Sequence, residues 1–162
     1  MIRITKQADY GIILMMQMAR QPEAVLSTPD LAETTELPGP MVGKILKALT
    51  RAGLLASKRG AQGGYSLIRE PAQISLAEMI VALDGPISMT ECLDDRCSCI
   101  REGSCPSRSH WHWINNALQQ ALQGVSLLDL LNPAPPAFSP SAFAPSTLLP
   151  SQLLAQPPVP ER

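Results

Sequence analysis

Apolar positions recur at helical spacing through the first half of the chain, and the breaks between them fall at proline and glycine. Thr5 can cap a helix whose apolar positions include Ile12, Ile13, Met16 and Ala19. Ser27 or Thr28, followed by Pro29, starts a second, short helix to about Thr35, because a proline in the first turn forfeits no hydrogen bond. Leu37-Pro38-Gly39 turns the chain. A third helix then runs from Pro40 to Ala52, with Met41, Ile45, Ala48 and Leu49 as its apolar stripe and Gly53 as its stop. Two strand-like runs follow, Leu54 to Lys58 and Gly64 to Ile68, around Arg59-Gly60-Ala61-Gln62-Gly63. A fourth helix begins at Ser75, whose spacing to Glu78 makes a capping box. Further on, Trp111, Ile114, Leu118, Ala121, Leu122 and Val125 fall at helical spacing, and a short leucine-rich turn covers Leu127 to Leu131.

Two short helices joined by a tight turn and followed by a hairpin predict a mainly α fold with a small β-hairpin wing: a winged helix-turn-helix. The long helix after residue 107 extends beyond that unit. Its apolar stripe calls for a partner, the same helix of a second subunit, so a homodimer is expected. Three regions result: a DNA-binding unit over 1–86, a cysteine loop with the dimerisation helix over 87–131, and a tail over 132–162. The tail holds nine of the sixteen prolines and only two charged residues, Glu161 and Arg162, and is expected to be disordered.

Charge sharpens this picture. The net charge of −1 hides six basic residues against one acid between Pro40 and Glu70. Phosphate attraction acts locally, within about 10 Å at moderate salt, so the concentrated patch outweighs the total. A helix fits the major groove and a β-ribbon reaches the neighbouring one, which makes duplex DNA the expected partner. The third helix is expected to read it, with Val42, Lys44, Lys47 and Arg51 on its outward side and Pro40 and Met41 at its leading end. Lys58, Arg59 and Gln62 belong to the wing, where Arg59 suits a narrow minor groove. Gly43 costs the reading helix roughly 1 kcal/mol relative to alanine. It either permits close approach of the backbone to DNA or is simply tolerated. No acid/base pair, phosphate loop or nucleophile arrangement suggests an enzyme. No apolar run is long enough for a membrane span and no signal peptide is read, so a cytoplasmic location is expected.

All four cysteines, Cys92, Cys97, Cys99 and Cys105, lie in one short polar stretch. Buried structural cysteines sit singly among apolar neighbours, and disulfides are rare in the cytoplasm, so the cluster points to thiolate chemistry. Zinc and iron–sulfur clusters are both open, although the paired C-x-x-C ligands of a zinc knuckle are missing. A metal-free thiol sensor is the alternative, and a winged-helix protein-interaction adaptor is another. His110 and His112 are further conceivable ligands.

Several strings resemble one known family. Arg3-Ile4-Thr5-Lys6 with Asp9-Tyr10, Leu31-Ala32-Glu33, Lys44-Ile45-Leu46-Lys47-Ala48-Leu49 and Gly53-Leu54-Leu55 are four of them. Arg59-Gly60-Ala61-Gln62-Gly63-Gly64-Tyr65, Ile74-Ser75-Leu76-Ala77-Glu78 and Thr90-Glu91-Cys92 complete the set. Together they resemble the IscR-type (Rrf family) winged-helix regulators of iron–sulfur cluster biogenesis, over roughly residues 1–132. Leu83-Asp84-Gly85-Pro86-Ile87 and Trp113-Ile114-Asn115 look most like the subgroup that regulates the SUF cluster-assembly operon. The resemblance implies a repressor whose iron–sulfur cluster, 2Fe–2S or 4Fe–4S, is held by Cys92, Cys99 and Cys105, with Cys97 an extra thiol or alternative ligand. IscR-type proteins carry a histidine three residues after the last cysteine; here Arg108 stands there and cannot bind iron. The nitric-oxide-sensing branch completes its cluster with an aspartate from the first helix of the other subunit. That position is Asp9 here, the first choice for fourth ligand.

Overall fold

The computed structural model describes residues 4–60, 63–90, 93 and 105–132. Thr5 caps α1 (Lys6–Ala19), its hydroxyl accepting from the Ala8 amide. Ser27 caps α2 (Thr28–Thr35), with Pro29 in the first turn. The turn into α3 (Gly39–Arg51) is made at Glu36, which adopts the left-handed conformation (φ 56°) while the Leu37 amide returns to the Ala32 carbonyl. The wing strands β1 (Leu55–Lys58) and β2 (Gly64–Leu67) are antiparallel, pairing Leu55 with Leu67 and Ser57 with Tyr65. A single 3-10 turn (Pro71–Gln73) leads to α4 (Leu76–Asp84), and the Ser75–Glu78 capping box is formed at its start. Then come α5 (Arg108–Gln123) and the one-turn α6 (Leu127–Leu130). The mainly helical winged helix-turn-helix expected from the pattern is the observed fold.

Leu14, Met15, Met18, Leu31, Val42, Ile45, Leu46, Leu49, Leu55, Ile74, Met79 and Leu127 form one buried cluster. At about 25 cal/mol per Å² of apolar surface removed from water, such a cluster is the main force holding α1, α3 and α4 together. Two faces differ from those expected. In α1 the inward residues are Ala8, Gly11, Leu14, Met15, Met18 and Ala19, whereas Ile13 is exposed. In α3 the inward set is Val42, Ile45, Leu46 and Leu49, and Val42 is fully buried while Met41 is 36% exposed. Val42 therefore belongs to the core rather than to the outward face, and Met41 leaves the apolar stripe. The cause is tertiary: α3 packs against α1, α2 and α4, so its inward face is centred one residue away from the stripe expected.

The chain after α5 returns to this core. The Leu76 amide donates to the Val125 carbonyl (2.8 Å) and the Leu127 amide to the Ile74 carbonyl (2.8 Å), a short antiparallel bridge between Ser75 and Ser126. Ser126 starts α6 with a second capping box, to Asp129, and Leu127 is driven into the cluster beside α1. Residues 133–162, including every proline of the tail, lie outside the described residues.

Candidate nucleic-acid interface and cysteine segment

With Val42, Ile45, Leu46 and Leu49 turned inward, residues 40, 44, 47 and 51 come to the opposite side of α3 at i, i+4, i+7 and i+11. Pro40, Lys44, Lys47 and Arg51 are all exposed there, with Met41 at one margin. This side carries three cations and no acid, and Arg51 in the last turn also complements the helix dipole. A Cβ on Gly43 would meet only the Thr28 methyl at 3.9 Å, so packing does not demand glycine there.

The wing stands beside that side of α3. Directly opposed residues share one face of a hairpin, so Ser57 and Tyr65 point the same way. With Lys47, Thr50 and Arg51 they line a concave corner of about 210 Å³ between α3 and the hairpin. Lys58 and Arg59 are exposed at the end of β1, and Gly60 takes φ +117° to turn the chain there. The Tyr65 amide and carbonyl both pair with Leu26, at 2.8 and 2.9 Å. A Cβ on Gly64 would strike the Leu26 carbonyl, which is why a glycine must precede this tyrosine. Gln62 lies outside the described residues.

Of the four cysteines, Cys105 is described; Cys92, Cys97 and Cys99 fall outside. Cys105 is a free, half-buried thiol, and its carbonyl accepts from the Arg108 amide (3.3 Å) at the start of α5. Arg108 is half-buried, whereas His110 and His112 are exposed on α5. Asp9 is exposed in the first turn of α1. No group of three or more potential metal-ligating side chains occurs among the described residues.

The segments flanking the cysteines are fixed by polar bonds. Asp84, at the end of α4, accepts from the Thr5 amide (3.2 Å) and from its hydroxyl (2.5 Å), and the Gln7 amide group donates to the Leu83 carbonyl (3.2 Å). The start of α1, which carries Asp9, is thereby tied to the segment that leads to Cys92. Asn115, only 7% exposed, holds the other side: its amide donates to the Ile87 carbonyl (3.0 Å) and its oxygen accepts from the Met89 amide (3.2 Å). Gln119 reinforces the Ile87 contact at 3.2 Å. Between these ties Ile4, Ile80, Pro86, Ile87, Leu118 and Leu122 border a cleft of about 230 Å³.

Residues 4–133 match the family model for Rrf2, described as an iron-dependent transcriptional regulator. The chain belongs to the Rrf2 family. It is a helix-turn-helix transcriptional regulator and not an enzyme. The chain is 33% identical over 130 residues to the HTH-type transcriptional regulator CymR of Bacillus subtilis, covering 80% of this chain and 89% of that one. It is 26% identical over 132 residues to IscR of Photorhabdus laumondii, covering 81% and 80%. Among solved structures, CymR, the global cysteine regulator of B. subtilis, superposes with a TM-score of 0.66 at 32% identity over 81% of this chain and 97% of that one. IscR of T. potens superposes with a TM-score of 0.61 at 27% identity, over 80% and 86%.

In this Rrf2-family chain, sequence reasoning placed Asn115 in a recognisable string but gave it no role. A signal was available: residues 111, 115, 118 and 122 share one side of a helix, and Asn115 is the polar member of an otherwise apolar stripe. A polar group embedded in such a stripe needs buried partners. The Ser126–Asp129 capping box was also legible, as Ser-x-x-Asp ahead of a leucine run. Among the described residues no helix is long and apolar enough to cross a membrane.

Proposed function

We propose that this protein binds duplex DNA as a homodimer, senses iron–sulfur cluster status, and represses a SUF-type cluster-assembly operon. The observation that carries the DNA part is the exposed Pro40, Lys44, Lys47 and Arg51 side of α3, set beside the Lys58–Arg59 end of the wing. Lysine and arginine contacts to phosphates position the domain; Met41, and Arg59 in the minor groove, carry the reading of sequence and groove shape. The half-exposed Ile114, Ala117, Leu118 and Ala121 on α5 supply an apolar seam for the same helix of a second copy.

The cluster part rests on donor chemistry and connectivity. Cys105 offers a free, half-buried thiol at the start of α5, and Cys92 and Cys99 complete the thiolate set, with Cys97 in reserve. Asp9 is exposed, which suits it to reach a cluster in a second subunit. A cluster held between the segment after α4 and the start of α5 would fix both, and through α5 the spacing of the two reading helices. Such a switch works only if the cluster binds one arrangement better than the other. The family description as iron-dependent and the likeness to IscR support this reading.

Anaerobic purification with visible absorption and iron and sulfide analysis tests it, paired with promoter binding by cluster-loaded and cluster-free protein. Colour, equimolar iron and sulfide, and a change in promoter affinity on cluster loss are expected. Colourless protein with stoichiometric zinc would end the cluster reading. The similarity to CymR favours a second reading, a metal-free thiol sensor. Peroxide-formed disulfides, located by mass spectrometry in protein lacking iron, would select it.

A further inference from the structure

We infer that the corner between α3 and the wing is a seat for one DNA backbone phosphate, in which the Tyr65 and Ser57 hydroxyls bind beside the Lys47 and Arg51 cations. This rests on the DNA-binding reading above and deepens it, because it adds two neutral donors from the wing to a contact otherwise assigned to charge alone.

Three observations converge. The first is composition: the corner is lined by Lys47, Thr50, Arg51, Ser57 and Tyr65, with no acidic side chain among them. The second is vacancy of the donors. No side-chain hydrogen bond or ion pair among the described residues engages Lys47, Arg51, Ser57 or Tyr65, whereas the Thr50 hydroxyl already donates to the Leu46 carbonyl (2.8 Å). The Tyr65 side chain is half-buried, yet its hydroxyl has no protein partner among the described residues and stays available to a ligand in the corner. The third is rigidity. Tyr65 is locked at both backbone groups to Leu26, its ring packs on the core cluster, and Ser57 is its cross-strand neighbour. Two fixed hydroxyls and two flexible cations around a concave space match a phosphodiester oxygen pair, which accepts from several donors at once. A helix lying in the major groove and a wing reaching the next groove bracket the strand between them, which puts one backbone phosphate at their junction.

The charged and neutral members give different signatures. Replacing a phosphate-bound cation lowers the salt dependence of binding by about one phosphate equivalent, whereas removing a hydroxyl weakens binding with that slope unchanged. The test uses the full chain, anaerobically prepared, and a duplex from its own promoter. Tyr65→Phe, which keeps the ring and the Leu26 pairing, should weaken binding roughly tenfold without changing the salt slope. Ser57→Ala should weaken it by a smaller factor. Lys47→Gln should reduce both affinity and slope.

Neutral methylphosphonate placed at successive backbone positions then locates the contact. At one position the loss should be smaller for Tyr65→Phe than for wild type, because the variant has already lost its hydroxyl contact there and keeps only the cations. If Tyr65→Phe is folded, binds as tightly as wild type and responds equally at every position, the phosphate seat is overturned while DNA binding stands. If wild-type protein binds no duplex at any salt, the DNA reading itself fails and takes the seat with it. Buffers of phosphate and chloride at equal ionic strength set the DNA backbone against free anion. A loss specific to phosphate in wild type and absent in Tyr65→Phe is the expected competition between free anion and backbone for the corner; a phosphate-specific loss of the same size in both proteins would place that competition elsewhere and overturn the seat.

Discussion

Around α3, Leu14, Met15, Met18, Ile45, Leu46 and Leu49 interlock, none more than 1% exposed. Around the root of the cysteine segment, the same chain is held by a handful of polar ties: Thr5 and Gln7 to the end of α4, and Asn115 and Gln119 to Ile87 and Met89. Close-packed apolar clusters resist small displacements, because every shifted methyl loses contacts on all sides. Hydrogen-bonded ties contribute only about 1 kcal/mol net each and open singly. The packed region around α3 is thus built to keep its shape, and the root of the cysteine segment to yield first. On the proposed function, that division would let an event at the cysteines move α5 without distorting α3.

The largest effect should come from the packed region. Leu46→Ala removes a fully buried side chain from the core cluster that α3 shares with α1 and α4 and should cost about 3 kcal/mol. Urea unfolding should show one cooperative transition with a lowered midpoint. A loss well under 1 kcal/mol would mean that α3 is not braced by this cluster.

Asn115→Ala probes the other region and should act locally. It strands the Met89 amide and removes one of two donors to Ile87, at a cost of about 1–2 kcal/mol. Hydrogen exchange should quicken at the Met89 amide while the amides of α3 keep their protection. Equal loss of protection in both places would make the two regions one cooperative unit and dissolve the contrast.

This contrast also explains what was legible in the sequence. The caps at Thr5, Ser27 and Ser75 and the glycines of the wing are local signals, and each stands where local chemistry put it. The inward faces of α1 and α3 are not local. Gly11-Ile12-Ile13-Leu14-Met15-Met16 is apolar all round, so periodicity selects no unique face. In α3, Met41 and Val42 are apolar neighbours, and only the placement of α1 and α4 puts Val42 in the inward stripe and leaves Met41 outside it. The ties of Asn115 run to backbone groups of Ile87 and Met89, which leave no mark on side-chain pattern. The basic side of α3 was legible for Lys44, Lys47 and Arg51 because charge alone forces them outward.

A smaller effect tests the turn that leads into α3. Glu36 is the only non-glycine with positive φ among the described residues, in the position at a helix end that favours glycine. Glu36→Gly should stabilise the protein by about 0.5–1 kcal/mol, read as a raised urea midpoint. No gain would show that the Glu36 side chain offsets its backbone cost.

The smallest effect concerns the seam where the two regions meet, since the Ser75 and Ser126 capping boxes flank the backbone bridge between them. Partial burial pushes the Glu78 carboxyl up, but the Ser75 amide and hydroxyl and the Arg69 guanidinium at 2.6 Å outweigh it and hold the group below its ordinary range. The Asp129 carboxyl is likewise lowered by the Ser126 hydroxyl and amide. A carboxylate whose pKa is lower folded than unfolded adds stability that is complete above its unfolded pKa. That stability is lost as pH falls through the folded one. The seam should therefore weaken on acidification below about pH 5 and be insensitive near neutrality. Glu78 and Arg69 are 41% and 37% exposed, so solvent screens the pair and the slope is shallow. Urea midpoints followed downward from neutral pH should fall less steeply in Glu78→Gln than in wild type, the residual slope belonging to Asp129 and other carboxylates. Identical slopes would show that the Ser75 box is no tighter in the folded chain than in the unfolded one.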